Sequence, residues 1–178
     1  MGIENEYLKI VKARFRSVKS LGDMTMEQLS EEELHWTLNE ESNSVAVIVK
    51  HLSGNMVSRW TDIFHTDGEK PNRNRELEFE DDLHSKVEIL KVWEKGWTTL
   101  FEALDLLTEQ DLLRKIMIRG EGHLVLEAIE RQMAHYAYHI GQIVYIGKQI
   151  KCEQWVSLSI PIGKSEEYLQ QMLKKHTE

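Results

Sequence analysis

The sequence predicts an all-α protein, a four-helix bundle with short extra helices in its connectors and at its C-terminus. Three observations carry that expectation. Apolar residues recur at three- and four-residue spacing through four long stretches, which is the helical period. Both prolines, Pro71 and Pro161, fall outside those stretches. Longer polar connections separate them, and amphipathic helices so joined bury their stripes against one another.

The first helix runs from Ile3 to about Lys19, with Ile3, Tyr7, Ile10, Val11, Arg14 and Val18 along one side, and Gly22-Asp23 is expected to stop it. Met24 to Trp36 is a connector holding a short helix, because Ser30-Glu31-Glu32-Glu33 is a capping-box pattern. Glu32 and His35 together resemble half of a di-iron motif, but the chain has no second copy, so that reading is set aside. The second helix runs from Asn43 or Ser44 to Phe64, with Val45, Ile48, Val49, Leu52, Met56, Trp60 and Ile63 on its apolar arc. His51 lies at the edge of that arc, in line with Ser44, Asn55, Ser58 and Asp62, with Arg59 to one side.

Thr66 to Arg75 has loop chemistry, since Asp67-Gly68 and Pro71 are turn signals. Its Lys70, Arg73 and Arg75 are the one local basic cluster, read either as an anion contact or as a solvated loop paired with nearby acids. A third helix, capped by Asp81 or Asp82, reaches about Leu107. Leu83, Val87, Leu90, Trp97, Phe101 and Leu104 form its seam, and Trp93 flanks them. Thr108 to Asp111 is a short helical turn, Lys115–Ile118 a brief β-like run, and Gly120-Glu121-Gly122 its end. The fourth helix, Leu124–Ile150, carries Leu126, Ile129, Met133, Ala137, Ile140 and Val144 at helical spacing. Lys151 to Gly163 is extended or loop, and Ser165 to Lys174 is a charged terminal helix. No internal repeat or interdomain linker interrupts the 178 residues, which read as one domain.

A net charge of −8 without a concentrated basic stripe argues against nucleic-acid backbone binding. No apolar run approaches membrane-spanning length, and Met1 to Ile10 lacks the apolar core of a signal peptide. The single Cys152 excludes an internal disulfide framework and suits a reducing compartment. These features lead to the expectation of a cytoplasmic protein acting on a small molecule.

The candidate chemistry lies in His135-Tyr136-Ala137-Tyr138-His139. Histidines four apart on a helix share a face, one turn above the other, and can offer two imidazole nitrogens to one ion. By chance alone such a pair is not rare among eight histidines. Its position adds weight, because His135 and His139 share an arc with Ala128, Gln132, Gln142 and Ile146 at the border of the apolar stripe. If the second and fourth helices face each other, His51 joins them. Three imidazoles leave an open coordination position, which distinguishes a catalytic from a closed structural zinc site. Asn55, Arg59, Asp62, Gln132 and Gln142 lie on the same faces and are the candidate substrate or cofactor contacts. Zincin proteases place Glu directly after the first histidine. Tyr136 stands there, which disfavours proteolysis, although Asp62 or Glu40 could act as base in another hydrolase.

The segment Asn39 to Leu52, the loop Thr66 to Pro71, and His135 to Ile143 resemble the DinB superfamily, and within it the bacterial DUF1572 branch. The resemblance covers nearly the whole chain. It implies an up-down-down-up bundle, a divalent metal (zinc or nickel foremost) held by His51, His135 and His139, and homodimers. It further implies kinship with S-transferases that use a low-molecular-weight thiol such as bacillithiol. Three readings therefore stand side by side: a metal-dependent thiol transferase, a metal-water hydrolase, and a non-catalytic bundle of the stress-induced type.

Overall fold

Four long helices carry most of the buried apolar surface of the chain. In the computed structural model, which describes residues 2–176, they are α1 (Ile3–Gln28), α3 (Val45–Trp60), α4 (Lys86–Leu106) and α5 (Val125–Lys151). The short α2 (Glu31–Leu34) and the terminal α6 (Ser165–His176) complete the helices, and β1 (Lys115–Ile118) pairs antiparallel with β2 (Glu121–Leu124). The fold is thus mostly helical with one small hairpin. Helix α3 packs against α4 and α5, and α1 packs against those same two helices.

Capping chemistry sets the helix starts. Ser30 and Glu33 close the expected capping box of α2, the Glu33 carboxylate accepting the Ser30 N–H at 2.7 Å and the Ser30 hydroxyl accepting the Glu33 N–H at 3.2 Å. Ser44 caps α3 by accepting the Val47 N–H at 3.2 Å. The cap of α4 is Ser85, which accepts from the Glu88 N–H, rather than Asp81 or Asp82. Those two carboxylates are engaged elsewhere, Asp81 accepting from the Ser44 hydroxyl at 2.9 Å and Asp82 pairing with Lys50.

Several sequence expectations are corrected by packing. Helix α1 does not stop at Gly22-Asp23 but continues to Gln28. Gly22 faces α4, where a Cβ would meet the Trp93 ring at 2.6 Å, and Asp23 accepts the Trp93 indole N–H at the same distance. The local helix-stop signal is overridden by a tertiary contact that needs glycine. Along α1 the buried face is Leu8, Val11, Phe15 and Met26, while Ile3 and Ile10 face out. Along α4 the buried row is Ile89, Trp93, Trp97, Leu100 and Leu104, whereas Val87 is 76% exposed. Of the expected seam only Trp97 and Leu104 are fully buried, and the row that faces the core is rotated from it toward Ile89 and Trp93.

Helix α3 ends at Trp60 rather than Phe64, because Asp62 turns into the left-handed region at φ 48°. Aspartate tolerates that conformation, and the Asp62 carbonyl then accepts from Thr66 N–H and hydroxyl. Gly120-Glu121-Gly122 does not end the β structure. Arg119 (φ 56°) and Gly120 (φ 74°) form the tight turn of a hairpin, the pairing of left-handed residues that matches strand twist.

The loop after α3 is tied to that hairpin. The Asp67 carboxylate accepts the N–H groups of Arg119 and Gly120, each at 2.8 Å, and Gly68 donates its N–H to the Met117 carbonyl at 2.7 Å. Three backbone N–H donors, those of Glu69, Gly120 and Arg119, hold the Asp67 carboxyl below the ordinary aspartate range. A segment of loop composition is therefore a fixed wall beside α3.

Candidate metal centre

Helix α3 presents His51 from its buried face, and α5 presents His135 and His139 one turn apart. The three imidazoles meet where these helices pack. His51 Nε2 lies 3.4 Å from His135 Nε2, and one nitrogen from each ring can be chosen so that all three lie within 4.8 Å of one another. Ring centroids are 5.4, 5.0 and 4.8 Å apart, with interplanar angles of 86°, 65° and 81°. The rings meet near edge to face, and one nitrogen of each borders a shared region.

Why His135 and His139 stand at the border follows from their neighbour. Tyr136 is fully buried, with its hydroxyl accepting the Trp60 indole N–H at 3.0 Å and donating to Asn55 Oδ1 at 3.1 Å. With that ring seated in the core, His135 and His139, both on one side of it by about 100° and 60° of helix rotation, fall at the rim.

A carboxylate that sequence reasoning missed orients the cluster. Glu78, in a short 3-10 turn (Glu76–Phe79), accepts from His51 Nδ1 at 3.0 Å and takes a forked pair of bonds from Arg73 at 2.7 and 2.8 Å. Burial alone would raise its pKa, but the bonds from Arg73 and His51 outweigh burial and hold it below the ordinary glutamate range. An ionised carboxylate only accepts, so neutral His51 carries its proton on Nδ1 and turns the lone pair of Nε2 toward the other histidines. Phe79 stacks on the His51 ring with centroids 4.9 Å apart. His139 is set similarly, its Nδ1–H donating to Gln142 Oε1 at 2.8 Å.

Electrostatics keep the α5 imidazoles neutral. Burial first, then the neighbouring charges of His139, His51, Arg59 and Arg73, lowers the His135 pKa to about 4. Burial also lowers that of His139, partly offset by the bond to Gln142. Neutral nitrogen is the form that ligates a metal.

This donor set fits a divalent ion. Ligands about 2.0–2.1 Å from one tetrahedral centre stand about 3.3–3.4 Å apart, the separation of His51 and His135. The widest nitrogen pair, at up to 4.8 Å, exceeds that edge by about 1.5 Å, a distance that ring rotation spans. Each outer Nδ1–H on His51 and His139 has an acceptor, the orienting arrangement typical of metal-ligating histidines.

Of the other residues singled out from the sequence, Asn55, Arg59 and Gln132 line a cleft of about 210 Å³ that His51 and His135 also border. Gln142 bonds His139 and lines a larger groove on the opposite flank, about 640 Å³, with Ile48, Tyr138 and Tyr145. Asp62 is not brought to the site. It lies past the end of α3 and pairs with the exposed His65 at 2.7 Å. Arg73 and Arg75, read above as loop residues, reach the cleft, and Arg119 joins them from the hairpin turn.

Gly54 is required here. It lies one turn after His51, and a Cβ would sit 2.8 Å from Glu78 Cδ and closer still to its Oε1.

The fold and site define a mostly helical protein with a three-histidine cluster suited to a metal. Residues 2–164 match the family described as "Protein of unknown function (DUF1572)", and the chain belongs to that family. No curated protein matches the chain. Among the described residues, no helix is long and apolar enough to cross a membrane.

Proposed function

We propose that this chain is a metal-dependent enzyme of the DinB type, a single four-helix-bundle domain whose His51, His135 and His139 hold a divalent metal, zinc or nickel. The observation that carries the reading is the convergence of three ring nitrogens from two helices, with Glu78 and Gln142 fixing two of the rings from behind. Glu78 retains the His51 proton on Nδ1, and Gln142 accepts that of His139, so each ring turns Nε2 inward. A divalent ion bound there supplies Lewis acidity and lowers the pKa of a water or thiol at its open position.

The reaction we favour transfers a low-molecular-weight thiol, bacillithiol or a relative, to a small electrophilic substrate. Two features support transfer over hydrolysis. Glu78 is committed to Arg73 and His51 and has no free role as a base. Of the two bases considered from sequence, Asp62 is paired with His65 away from the cluster, and Glu40 is exposed in the turn before α3. The flanking spaces give a substrate two different surroundings, a cleft rich in arginine and a groove with apolar walls. The superfamily likeness further supports homodimers, which size-exclusion chromatography tests.

Metal analysis of tag-free protein is the first experiment. About one ion per chain supports the reading, and less than about 0.2 refutes it in favour of a non-catalytic bundle. A conjugation assay with bacillithiol and a model electrophile then follows. Turnover that depends on both thiol and metal supports transfer, whereas metal-dependent turnover without thiol assigns the chain to hydrolysis.

A further inference from the structure

We propose that the cleft beside the histidines is an oxyanion subsite, holding the carboxylate or phosphate group of a small substrate. The inference deepens the reading above, and its role as a substrate site rests on that reading.

Charge makes the first case. The chain carries a net −8, yet five arginines, residues 59, 73, 75, 119 and 131, line this one cleft. They arrive from α3, the loop after it, the hairpin turn and α5. Only two carboxylates form ion pairs with them among the described residues. Glu69 pairs with Arg59, Arg73 and Arg119, and Glu78 pairs with Arg73. Arg75 lies over the Phe79 ring and, like Arg131, has no carboxylate within ion-pair distance among the described residues. Glu127, one turn from Arg131 on α5, is bonded to His123. The cleft thus holds excess positive charge in a planar, forked form that matches carboxylate and phosphate oxygens.

Unpartnered atoms make the second case. Gln132, 3% exposed, has no hydrogen-bond partner for Oε1, and Arg59, 6% exposed, has none for Nε. Buried polar atoms without partners are rare and call for an explanation. Both belong to residues lining the cleft. One is an acceptor and the other a donor. In the arrangement seen both atoms are closed to solvent, so a ligand reaches them once the side chains turn into the cleft, an oxyanion oxygen satisfying the arginine and a hydroxyl or amine beside it the glutamine. A 2-hydroxy or 2-amino carboxylate presents that pair, as does a monoprotonated phosphate.

The cleft is also built in advance. Arg73 is clamped by Glu78, and Arg119 is held at φ 56° with its N–H bonded to Asp67. Its volume, about 210 Å³, is about seven water volumes, which suits a carboxylate with two or three carbons. His135 forms part of its wall, so an anion seated there brings the rest of its molecule to the ring nitrogens.

The test is calorimetric titration of the full chain, metal-loaded and chelator-treated, with inorganic phosphate and separately with lactate, in a buffer free of both. Binding of either supports the subsite, and the tighter probe assigns the source. The exposed Arg75 and Arg131 allow variants that keep the fold. R75Q and R131Q are each expected to weaken the bound probe about tenfold or more, while K9Q, on the exposed side of α1, leaves it unchanged. Q132L is expected to abolish the preference for lactate over propionate, which lacks the hydroxyl. No binding of either probe, or equal affinity in both arginine variants and wild type, overturns the proposal. Metal content measured on the same samples separates the two readings. Anion binding by a chain that takes up no metal refutes the metal site alone, and full metal without anion binding refutes the subsite alone.

Discussion

Replacing Glu78 by glutamine keeps the shape of the side chain and removes its charge. In the native chain, Oε1 accepts from Arg73 Nε at 2.7 Å, and Oε2 accepts from Arg73 Nη2 at 2.8 Å and from His51 Nδ1 at 3.0 Å. The amide has one acceptor oxygen. Its best placement keeps the two bonds at Oε2 and turns NH₂ against the Arg73 Nε–H, donor to donor. One charge-assisted bond is lost, about 1.5–3 kcal/mol. Arg73, whose side chain is 5% exposed, then keeps only one carboxylate partner, Glu69 at 3.3 Å. The expected destabilisation at neutral pH is therefore about 2–4 kcal/mol, or a urea midpoint lower by about 1–2 M at a slope of about 2 kcal/mol/M. The sign with pH follows from a folded pKa below the unfolded one. Glu78 contributes fully above about pH 4.3 and loses that contribution as pH falls through its lower folded value. The gap between wild type and E78Q therefore narrows in acid. Metal affinity is expected to fall about 10–100-fold, as when the group orienting a ligand is changed. Coincident urea midpoints at pH 7 would refute the buried clamp, and unchanged metal affinity would refute its role in orienting His51.

Four more perturbations bear on the same arrangement. G54A places a Cβ against the Glu78 carboxylate; metal affinity should drop about tenfold even though alanine favours the helix by about 1 kcal/mol, as a competition titration against a chromophoric chelator will show. H135A should retain its far-ultraviolet circular dichroism and bind less than about 0.2 metal per chain, and full occupancy would remove His135 from the ligand set. Y136F strands the Trp60 N–H and Asn55 Oδ1 in the core; thermal unfolding should report a loss of about 1–3 kcal/mol, and no loss would mean that water already serves those groups. Metal-free wild type should lose stability as pH falls from about 6.5, where an unfolded histidine begins to bind its proton, to about 4, where folded His135 does so. H135A should show a shallower decline over that window, and superimposable profiles would contradict the burial of His135.

What the sequence disclosed was what depends on local periodicity. The three histidines were legible because His51 lies on the edge of an uninterrupted apolar arc, and His135 and His139 lie one turn apart on another. Ser30 was legible as a cap, and Ser44 as one of two candidate starts of the second helix, because capping is settled within four residues. Glu78 was not legible. It is 27 residues from His51, in a stretch whose composition indicates loop, and its bonds exist only when that stretch folds over α3. One signal was available: Leu77 and Phe79 flank Glu78 as apolar residues in a polar run, and Phe79 stacks on the His51 ring. Arg119 gave no signal, because its place depends on Asp67 holding the hairpin turn from 52 residues away. Gly22 misled for the same reason in reverse, since its meaning lies in Trp93 on another helix.

The geometry of the centre is finally a matter of helix register. Two histidines on α5 and one on α3 converge only if those helices neither slide nor rotate against each other, and apolar packing alone resists such slippage weakly. Tyr136 supplies the constraint. Its hydroxyl bridges Trp60 and Asn55, two points on α3 on the C-terminal side of His51. A buried hydrogen bond cannot lengthen far without leaving its partner unsatisfied, so the bridge adds a directional constraint to the packing. Tyr138, two residues on and 63% exposed, has no such task. The order His-Tyr-Ala-Tyr-His therefore divides its labour by helix phase: Tyr136 ties α5 to α3 from inside the core, and His135 and His139, both about 60–100° round the helix from it on the same side, are carried to the rim opposite His51.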